Sequence, residues 1–250
     1  MKPYYDEGGI TIYHADSRGF DRHLGEADVL LVDPPYGQTS LQWDVWPDGW
    51  PSTVARFASQ RASMWCFGSL RMFMDHAAEF ALEWRLAQDL VWEKHNGSNF
   101  HADRFRRVHE QVAHFYRRST LWGEVYNVTP VTPDATKRTV RRKERPPHTG
   151  VIAESTYTSQ DGGPRLQRTV IRVRSEHGRA QHPTQKPIGI LLPIIGASCP
   201  PDGTMLDPFM GSGSALVAAK VLGRRAIGIE IEERYCEIAV ARLAQEVMAL

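Results

Sequence analysis

The sequence predicts an α/β fold in which a mostly parallel sheet carries helices on both of its faces. Three observations lead to this prediction: short apolar runs end in turn residues, helical patterns separate these runs, and a Gly-x-Gly turn joins one run to a helix. Strands that alternate with helices pair in parallel, because each crossover returns the chain to the same edge of the sheet. The length of 250 residues suits one such domain with an insertion.

Eight short runs have the composition of strands, and turn residues follow most of them. The strongest covers residues 28–32, where four apolar residues follow Asp28 and the run stops at Asp33. An apolar run of this length indicates a strand that is buried on both faces, as in a parallel sheet. The other predicted strands cover residues 10–13, 63–67, 86–92, 111–116, 169–173, 204–206 and 226–229.

Four segments have apolar residues at helical spacing or residues that mark helix ends. Pro187 precedes the predicted helix 188–197, where proline suits the first turn. Gly223 follows the predicted helix 214–222, and glycine commonly ends helices. The remaining predicted helices cover residues 70–83 and 233–248.

Residues 117–181 interrupt this alternation of strands and helices. They contain proline and glycine breaks and many arginines. We therefore predict that residues 1–116 and 182–250 form one domain, and that 117–181 form an insertion on one rim of its sheet. The insertion carries a basic cluster made of Lys137, Arg138, Arg141, Arg142, Lys143 and Arg145.

Composition excludes several classes of protein. The formal net charge is +1, so any basic surface must be local. Cys66, Cys199 and Cys236 lie far apart, which argues against a disulfide framework and a zinc site, and we expect no metal. No apolar run approaches the ~20 residues of a membrane helix. We therefore expect a cytoplasmic protein of a reducing compartment, without membrane contact.

A Gly-x-Gly turn at Gly211 and Gly213 separates the predicted strand 204–206 from the predicted helix 214–222. Glycine lets a backbone approach a ligand closely, and a helix N-terminus offers free N–H groups to an anion. Glu230 ends the next strand, near the ~20-residue interval at which an acid binds ribose in nucleotide-binding folds. The third glycine of the dinucleotide pattern is absent, so the turn is either a cofactor site or a tight connection.

A second turn, Asp33-Pro34-Pro35-Tyr36, directly follows the fully apolar strand 28–32. Ligands of open α/β sheets bind at the carboxyl ends of strands, which is where this turn falls. The two prolines fix the backbone and remove two N–H donors, so the turn presents acceptors beside an aromatic ring. These groups suit an amino group on a flat heterocycle better than they suit a purely structural turn.

Four segments, in this order, resemble the β-type, circularly permuted family of N6-adenine and N4-cytosine DNA methyltransferases. The first resembles the catalytic motif of the family, the second and third its middle region and its H-P-T-Q-K-P segment, and the fourth its cofactor motif. The segments are Asp33-Pro34-Pro35-Tyr36, then Trp92-Glu93-Lys94-His95-Asn96 with His109-Glu110-Gln111-Val112, then His182-Pro183-Thr184-Gln185-Lys186-Pro187, and Asp207-Pro208-Phe209-Met210-Gly211-Ser212-Gly213.

The resemblance implies a Rossmann-like methyltransferase fold with S-adenosylmethionine as cofactor and double-stranded DNA as substrate. It implies that the target base is flipped out of the duplex and that the insertion recognises the target, with the basic cluster contacting phosphates. The implied catalytic residues are Asp33, Pro34, Pro35 and Tyr36. The implied cofactor-binding residues are Asp16, Asp33, Thr184, Lys186, Asp207, Phe209, Gly211, Gly213 and Glu230.

Adenine N6 is the predicted target, because Ser is common in cytosine enzymes of the family at the position of Asp33. N4 of cytosine is the alternative, since it is also an exocyclic amine. An RNA or protein-glutamine methyltransferase ranks lower, because those families carry the catalytic turn after the glycine motif. An inactive DNA-binding homologue ranks low too, since every expected catalytic residue is present. The resemblance permits a homodimer and a cognate restriction endonuclease as partners, and it implies the cytoplasm of a bacterial cell or of a phage-infected host as the location.

Overall fold

The structure is a computed structural model, and it describes residues 2–20, 25–40, 42–97, 103, 105–142, 153–176, 178, 180, 182 and 185–245. The chain divides into two compact units. The larger unit consists of Met1–Val128 and Thr169–Leu250, and the smaller unit is Thr129–Arg168. The sequence-based boundaries of the insertion, 117 and 181, lie outside this smaller unit on both sides.

The strands, numbered along the chain, account for most of the regular structure of the described residues. They are β1 (Tyr5–Glu7), β2 (Ile10–His14), β3 (Ala27–Val32), β4 (Ala58–Gly68), β5 (Trp84–Glu93), β6 (His109–Arg117), β7 (Val131–Thr132), β8 (Arg138–Arg142), β9 (Ser155–Ser159), β10 (Arg165–Leu166), β11 (Val170–Arg172), β12 (Thr204–Asp207) and β13 (Arg225–Glu230).

The larger unit is built on one sheet with the strand order β1-β2-β13-β12-β3-β4-β6-β5-β11. The strands β2, β13, β12, β3 and β4 pair in parallel, and β11 pairs in parallel with β5. The edge strand β1 and the strand β6 run antiparallel to their neighbours. The predicted mostly parallel sheet is therefore confirmed, and the carboxyl ends of its central strands meet at one edge.

Helices cover both faces of this sheet. They are α1 (Trp50–Ala55), α2 (Leu70–Asp75), α3 (Ala77–Glu83), α4 (Ile188–Ser198), α5 (Ser214–Val221) and α6 (Glu233–Ala244). The first three contribute to one apolar core and the last three to the other. Strand β3 serves both cores, because Val29 and Leu31 point to one face while Leu30 and Val32 point to the other.

The prediction of a single helix over residues 70–83 is wrong, because the helix breaks at His76. This residue has a non-helical backbone, with φ −114° and ψ 15°. Its ring stacks on Trp46 at a centroid distance of 3.7 Å, and its Nδ1 lies 2.8 Å from Oε1 of Glu79. These contacts fix the ring between two elements, and the apolar spacing that predicted one helix is shared by α2 and α3.

The other sequence-based elements of the larger unit are confirmed within a few residues at each end. Strand β4 is longer than predicted and begins at Ala58 rather than residue 63. The short strand β1 and the helix α1 were not predicted, since both lie in polar or proline-containing sequence. Helix α6 ends at Ala244, and residues 246–248 of the prediction lie outside the described residues.

The smaller unit contains two short antiparallel pairs of strands. Strand β7 pairs with β10, and β8 pairs with β9 in a hairpin. In the hairpin, Arg141 lies opposite Thr156, and Thr139 lies opposite Thr158, with 3.0 Å between their Oγ1 atoms. One face of the hairpin therefore combines three threonines with an arginine, and all four are exposed.

The described residues contain neither a membrane-spanning helix nor a cluster of metal ligands. No helix among them is long and apolar enough to span a membrane. No cluster of three histidine, cysteine, aspartate or glutamate residues in the same residues could hold a metal ion.

Candidate active site

The carboxyl ends of β2, β3, β12 and β13 open into a cavity of about 420 Å³. This is the edge at which ligands of open α/β sheets bind. Residues from both turns singled out in the sequence line the cavity, although more than 170 residues separate the turns along the chain. The predicted site residues among its lining are Asp16, Asp33, Pro35, Lys186, Asp207, Phe209, Gly211 and Glu230.

The glycine turn shapes one wall of this cavity. Gly211 and Gly213 have φ values of +51° and +74°, in the left-handed region that favours glycine. A Cβ atom at Gly213 would lie 2.8 Å from Cβ of Ala239 in α6, so the turn packs against that helix. The backbone N–H of Gly211 donates to Oε2 of Glu230 at 2.8 Å, which joins the turn to the end of β13.

Two carboxyl groups, the buried Asp207 and the partly buried Glu230, lie at the ends of the strands that flank the glycine turn. Burial raises the pKa of Asp207 to about 8, with the nearby charges of Asp33 and Glu230 adding to the rise. Burial also raises the pKa of Glu230, although backbone N–H donors from Glu232 and Gly211 oppose this. A buried acid with a raised pKa gains from a ligand that brings positive charge or hydrogen-bond donors.

The Asp-Pro-Pro-Tyr turn is held by the side chain of Asp44, which sequence reasoning missed. Its carboxylate accepts the backbone N–H groups of Tyr36 (2.7 Å), Gly37 (2.9 Å), Gln38 (3.0 Å) and Thr39 (2.7 Å). Burial on its own raises the pKa of Asp44, but these donors outweigh it and the pKa is lowered. The ionised carboxylate therefore closes the loop that follows the catalytic turn.

Both oxygens of the Asp33 carboxylate have a donor. The hydroxyl of Tyr36 donates to Oδ1 at 2.6 Å, and Nζ of Lys186 donates to Oδ2. Burial, followed by the charge of Asp33, raises the pKa of the Tyr36 hydroxyl well above its usual value, so the hydroxyl keeps its proton. Each carboxylate oxygen retains one lone pair, because an oxygen of an ionised carboxylate has two acceptor positions.

Lys186 continues into a buried row of charges. Its Nζ lies 3.6 Å from Oε2 of Glu110, and Nζ of Lys94 donates to Oε1 of the same carboxylate. Burial alone lowers the pKa of Lys186, but Asp33 and Glu110 outweigh it and the pKa is raised. Burial alone raises the pKa of Glu110, but Lys186 and Lys94 outweigh it and the pKa is lowered. The ammonium of Lys186 and the carboxylate of Glu110 are therefore charged at neutral pH.

Asp16 lies in the cavity but already has a partner. Its Oδ1 accepts the backbone N–H and Nε of Arg18 at 2.9 and 3.0 Å, and its Oδ2 accepts a terminal guanidinium nitrogen at 2.6 Å. Hydrogen bonds from the Arg18 side chain lower the pKa of Asp16 despite partial burial. The carboxylate is consequently ionised and oriented at the mouth of the cavity.

The remaining predicted site residues lie elsewhere. Pro34, Tyr36 and Gly213 are not among the residues that line the cavity, although each is adjacent in sequence to one that is, and Thr184 lies outside the described residues. Among the basic cluster, Lys137, Arg138 and Arg141 are exposed on the smaller unit. The backbone of Arg142 belongs to β8, while Lys143 and Arg145 lie outside the described residues.

His182 is another cavity residue to which the sequence assigned no role of its own. Its ring meets Tyr235 edge-on at a centroid distance of 4.3 Å, and burial lowers its pKa to about 4. It is therefore neutral near pH 7. His182 belongs to the His-Pro-Thr-Gln-Lys-Pro segment, but its contact with Tyr235 was not predictable from that segment, because Tyr235 comes from α6.

Two curated proteins are similar to this chain over most of its length. The Type II methyltransferase M.ScaI of Streptomyces caespitosus is 26% identical over an alignment that covers 100% of this chain and 86% of that protein. The Type II methyltransferase M.HinfI of Haemophilus influenzae is 28% identical, with coverage of 87% of this chain and 63% of that protein.

Solved structures share the fold at low sequence identity. The crystal structure of an M1.HpyAVI–SAM complex superposes with a TM-score of 0.64 at 24% identity, covering 94% of this chain and 99% of that one. The cytosine-N4-specific PvuII DNA methyltransferase superposes with a TM-score of 0.66 at 14% identity, covering 99% of this chain and 90% of that one. The predicted Rossmann-like methyltransferase fold is thereby confirmed.

The family follows from the sequence pattern as a whole. The pattern of the DNA methylase family of N6 and N4 methyltransferases matches residues 27–241. This span includes both turns of the cavity, together with Lys186, Glu110 and Lys94. The chain belongs to the DNA methylase family.

Proposed function

We propose that this protein transfers a methyl group from S-adenosylmethionine to N6 of adenine at a specific sequence in double-stranded DNA. One observation carries the proposal: the oriented carboxylate of Asp33 opens into the same cavity as Gly211, Asp207 and Glu230. An acceptor for an amine therefore lies beside the groups that suit a cationic nucleoside cofactor.

The chemistry of the cavity fits this cofactor. S-adenosylmethionine carries a sulfonium and an ammonium, and the carboxyls of Asp207 and Glu230 have raised pKa values that positive charge or donors would relieve. Gly211 lacks a side chain where the backbone must come close to a ligand, and Phe209 offers an apolar surface. The cavity volume of about 420 Å³ lies within the range of small-molecule sites.

We assign the parts of the cofactor by these side chains. Asp207 would bind the α-amino group, Glu230 the ribose hydroxyls, and Asp16 the adenine moiety. Thr184 stays in the assignment as a contact of the methionine end. When bound, S-adenosylmethionine supplies an electrophilic methyl group on its sulfonium.

Asp33 and the carbonyl of Pro34 would activate the target amine. The lone pair of an exocyclic amine is delocalised into the ring, and two acceptors for its hydrogens localise it on the nitrogen. After transfer the nitrogen bears one surplus proton and is strongly acidic, so even an ion-paired carboxylate accepts that proton. Catalysis then rests on positioning and on fixed charges.

The target base must leave the duplex, because an amine in the stack cannot reach a cavity at a sheet edge. We assign its reception to two aromatic side chains. Tyr36 is fixed by its hydrogen bond to Asp33, and Trp43, which is 42% exposed, lines the cavity mouth. We assign stacking on the flipped base to Tyr36, with Trp43 at the entrance.

The hairpin of the smaller unit is the proposed DNA-contacting element. A two-stranded antiparallel ribbon is narrow enough for the major groove. Its exposed face carries Arg141 with Thr139, Thr156 and Thr158, which can donate to and accept from base edges, while Lys137 and Arg138 supply charge for phosphates. Arg142, Lys143 and Arg145 extend the same basic segment.

N4 of cytosine is the second candidate target. The cytosine-N4-specific PvuII enzyme shares the fold over 99% of this chain, and the chemistry of the two amines is the same. The carboxylate at Asp33 favours adenine, since it is a stronger acceptor than the serine common in cytosine enzymes. Type II relatives also favour a role in restriction–modification, with a cognate endonuclease as partner and a homodimer as an assembly to test.

The test is to express the chain in a host that lacks its own DNA methylation. Mass spectrometry of hydrolysed DNA and single-molecule sequencing of the same plasmid then give the base and its context. N6-methyladenine at one sequence motif supports the proposal. N4-methylcytosine would instead identify cytosine, the second candidate, as the target. Unmodified DNA, together with methylated RNA or protein, overturns the proposal.

A further inference from the structure

The buried charges behind Asp33 form a row that the established family membership does not explain. The row runs Asp33–Lys186–Glu110–Lys94, and the side chains of its last three members are only 9%, 11% and 12% exposed. Each charge comes from a different one of the segments Asp33–Tyr36, His182–Pro187, His109–Val112 and Trp92–Asn96. Such rows are costly to bury and stabilise a fold less than apolar packing does.

We propose that Lys186, Glu110 and Lys94 act as positioning residues that set the orientation of the Asp33 carboxylate. The proposal rests on the methyl transfer proposed above, since Asp33 is the group in contact with the amine. Lys186 holds Oδ2 of Asp33 while Tyr36 holds Oδ1, so the plane of the carboxylate is fixed. The lone pairs that remain are the ones available to the target amine.

Glu110 keeps Lys186 in place from the opposite side. A lysine bound to Asp33 alone has three rotatable donors and a flexible stem, so it would orient the carboxylate weakly. The carboxylate of Glu110, 3.6 Å from Nζ, lies at the start of β6, next to the end of β5 in the register Trp92–Glu110. Strand pairing therefore fixes the anchor of Lys186.

Lys94 neutralises Glu110. Without it, one lysine would serve two buried carboxylates, and its ammonium would be divided between Asp33 and Glu110. With it, the row holds two positive and two negative charges, and Arg107 adds a weaker attraction to Glu110. Because Lys94 neutralises Glu110, the ammonium of Lys186 pairs mainly with Asp33.

Aromatic rings support both lysines. Nζ of Lys186 lies 5.2 Å from the ring centroid of Phe67, and Nζ of Lys94 lies 4.6 Å from that of Trp92. These two rings pack edge to face with centroids 6.5 Å apart. An ammonium over an aromatic face is attracted to it, and the rings restrict where each stem can move.

The charge balance of the row gives a test that distinguishes a positioning role from a merely structural one. Glu110→Gln leaves two lysines without their shared anion, and Lys94→Met leaves Lys186 between two anions, so each should lower kcat by ~100-fold through misplacement of Asp33. The double variant is neutral again and keeps the Asp33–Lys186 pair. Its kcat should recover to ~10-fold below the wild type, because Lys186 again faces a single carboxylate but lacks the anchor of Glu110; a loss smaller than that of either single variant is a non-additive result.

The measurement compares kcat, KM for S-adenosylmethionine, the Kd for S-adenosylhomocysteine by calorimetry, and Tm for each variant. We expect kcat to change while KM and Kd stay constant. Glu83→Gln is the matched control, because it breaks the Glu83–Arg117 ion pair (3.2 Å) outside the row and should leave kcat unchanged.

The outcomes separate the two proposals. A wild-type protein that methylates no DNA overturns the methyl-transfer proposal itself. A wild type that methylates DNA, with a double variant no faster than the slower single variant, overturns the positioning role alone. A decrease in kcat that is matched by an equal loss of affinity for S-adenosylhomocysteine also overturns it, because the row would then act in cofactor binding.

Discussion

Nζ of Lys186 donates to Oδ2 of Asp33, although the two residues lie 153 positions apart in the chain. The contact joins the loop before α4 to the turn after β3. It brings the His-Pro-Thr-Gln-Lys-Pro segment against the Asp-Pro-Pro-Tyr segment at one edge of the sheet. The cofactor-contact role predicted for Lys186 stays a prediction, and the structure adds this second contact.

The pKa of Asp207 predicts that cofactor binding weakens as the pH falls. The raised pKa, about 8, means that Asp207 is largely protonated at neutral pH before the cofactor binds. A ligand ammonium favours the ionised form, so binding releases a proton below pH 8, and Kd should rise by up to about tenfold per pH unit lowered.

Calorimetry with S-adenosylhomocysteine between pH 6 and pH 8.5 measures this dependence, since that ligand carries the same amino group. Buffers of different ionisation enthalpy count the protons released. In the Asp207→Asn variant the affinity should be lower and the profile flat. A wild-type Kd that is constant across this range would show that Asp207 does not face the ammonium.

The same group predicts a change in stability with pH. Because the folded-state pKa of Asp207 is raised above its unfolded value, protonated Asp207 contributes stability that is complete below about pH 4 and is lost as the pH rises through about 8. Asp207→Asn removes this loss, so its Tm without ligand should exceed that of the wild type at pH 8.5 and not at pH 4. A Tm of the variant below that of the wild type at both pH 8.5 and pH 4 would show that ionisation of buried Asp207 does not destabilise the fold.

Substitution of Gly213 should have two effects that can be measured separately, backbone strain in the turn and a close contact with α6. Gly213→Ala places a side chain at φ +74° and sets its Cβ 2.8 Å from Cβ of Ala239. Gly223→Ala is the matched control, because its φ is +64° and nothing lies within 4 Å of its Cβ. The control should lose about 1–2 kcal/mol in urea unfolding from backbone strain alone.

The Gly213→Ala variant should lose more free energy of unfolding than the control and should also bind S-adenosylhomocysteine more weakly. The reason is that α6 must shift to admit the methyl group, and the glycine turn shifts with it. Equal losses in the two variants would mean that the packing of α6 on the turn is loose.

Asp44 predicts that the catalytic turn depends on a residue outside it. Asp44→Ala leaves four backbone N–H groups without their acceptor, and each such group costs about 1–3 kcal/mol where water cannot replace it. We expect lower stability and a lower kcat. Asp48→Ala is the control, because Asp48 is exposed and should change stability by less than about 0.5 kcal/mol. A fully active Asp44→Ala variant would show that the loop forms without its carboxylate.

The hairpin of the smaller unit predicts the salt dependence of DNA binding. The double substitution Lys137→Ala with Arg138→Ala should make the slope of log K against log salt shallower by about one for each lost phosphate contact. Arg71→Ala is the control, since it removes an exposed positive charge from α2. Filter binding or fluorescence anisotropy over 50–200 mM salt measures the slopes. An unchanged slope in the double variant moves the DNA-contacting surface elsewhere.

Much of the fold was predictable, because its signals are local. The apolar run 28–32, the proline turn and the glycine turn are each contained within about ten residues, and the order of strands and helices follows from such runs. The resemblance then placed the two turns in one site. Those features depend on composition and spacing, which the sequence displays directly.

The missed features depend on contacts between distant segments. The break at His76 reflects its stacking on Trp46, which no pattern within residues 70–83 contains. The hydrogen bonds that Asp44 accepts require the loop after the catalytic turn to fold back on itself. The partners of Glu110 become evident only when β5 and β6 pair. A charge in a sequence shows that a partner is needed but does not say which residue supplies it.

The central claim is that Asp33 activates the target amine in the cavity that also binds the cofactor. The direct measurement is the transfer of labelled methyl groups from S-adenosylmethionine to plasmid DNA by wild type and Asp33→Ala, with Kd for S-adenosylhomocysteine measured on the same samples. We predict that the variant transfers no label while its Kd remains measurable and close to that of the wild type. Transfer at the wild-type rate by the variant would contradict the account.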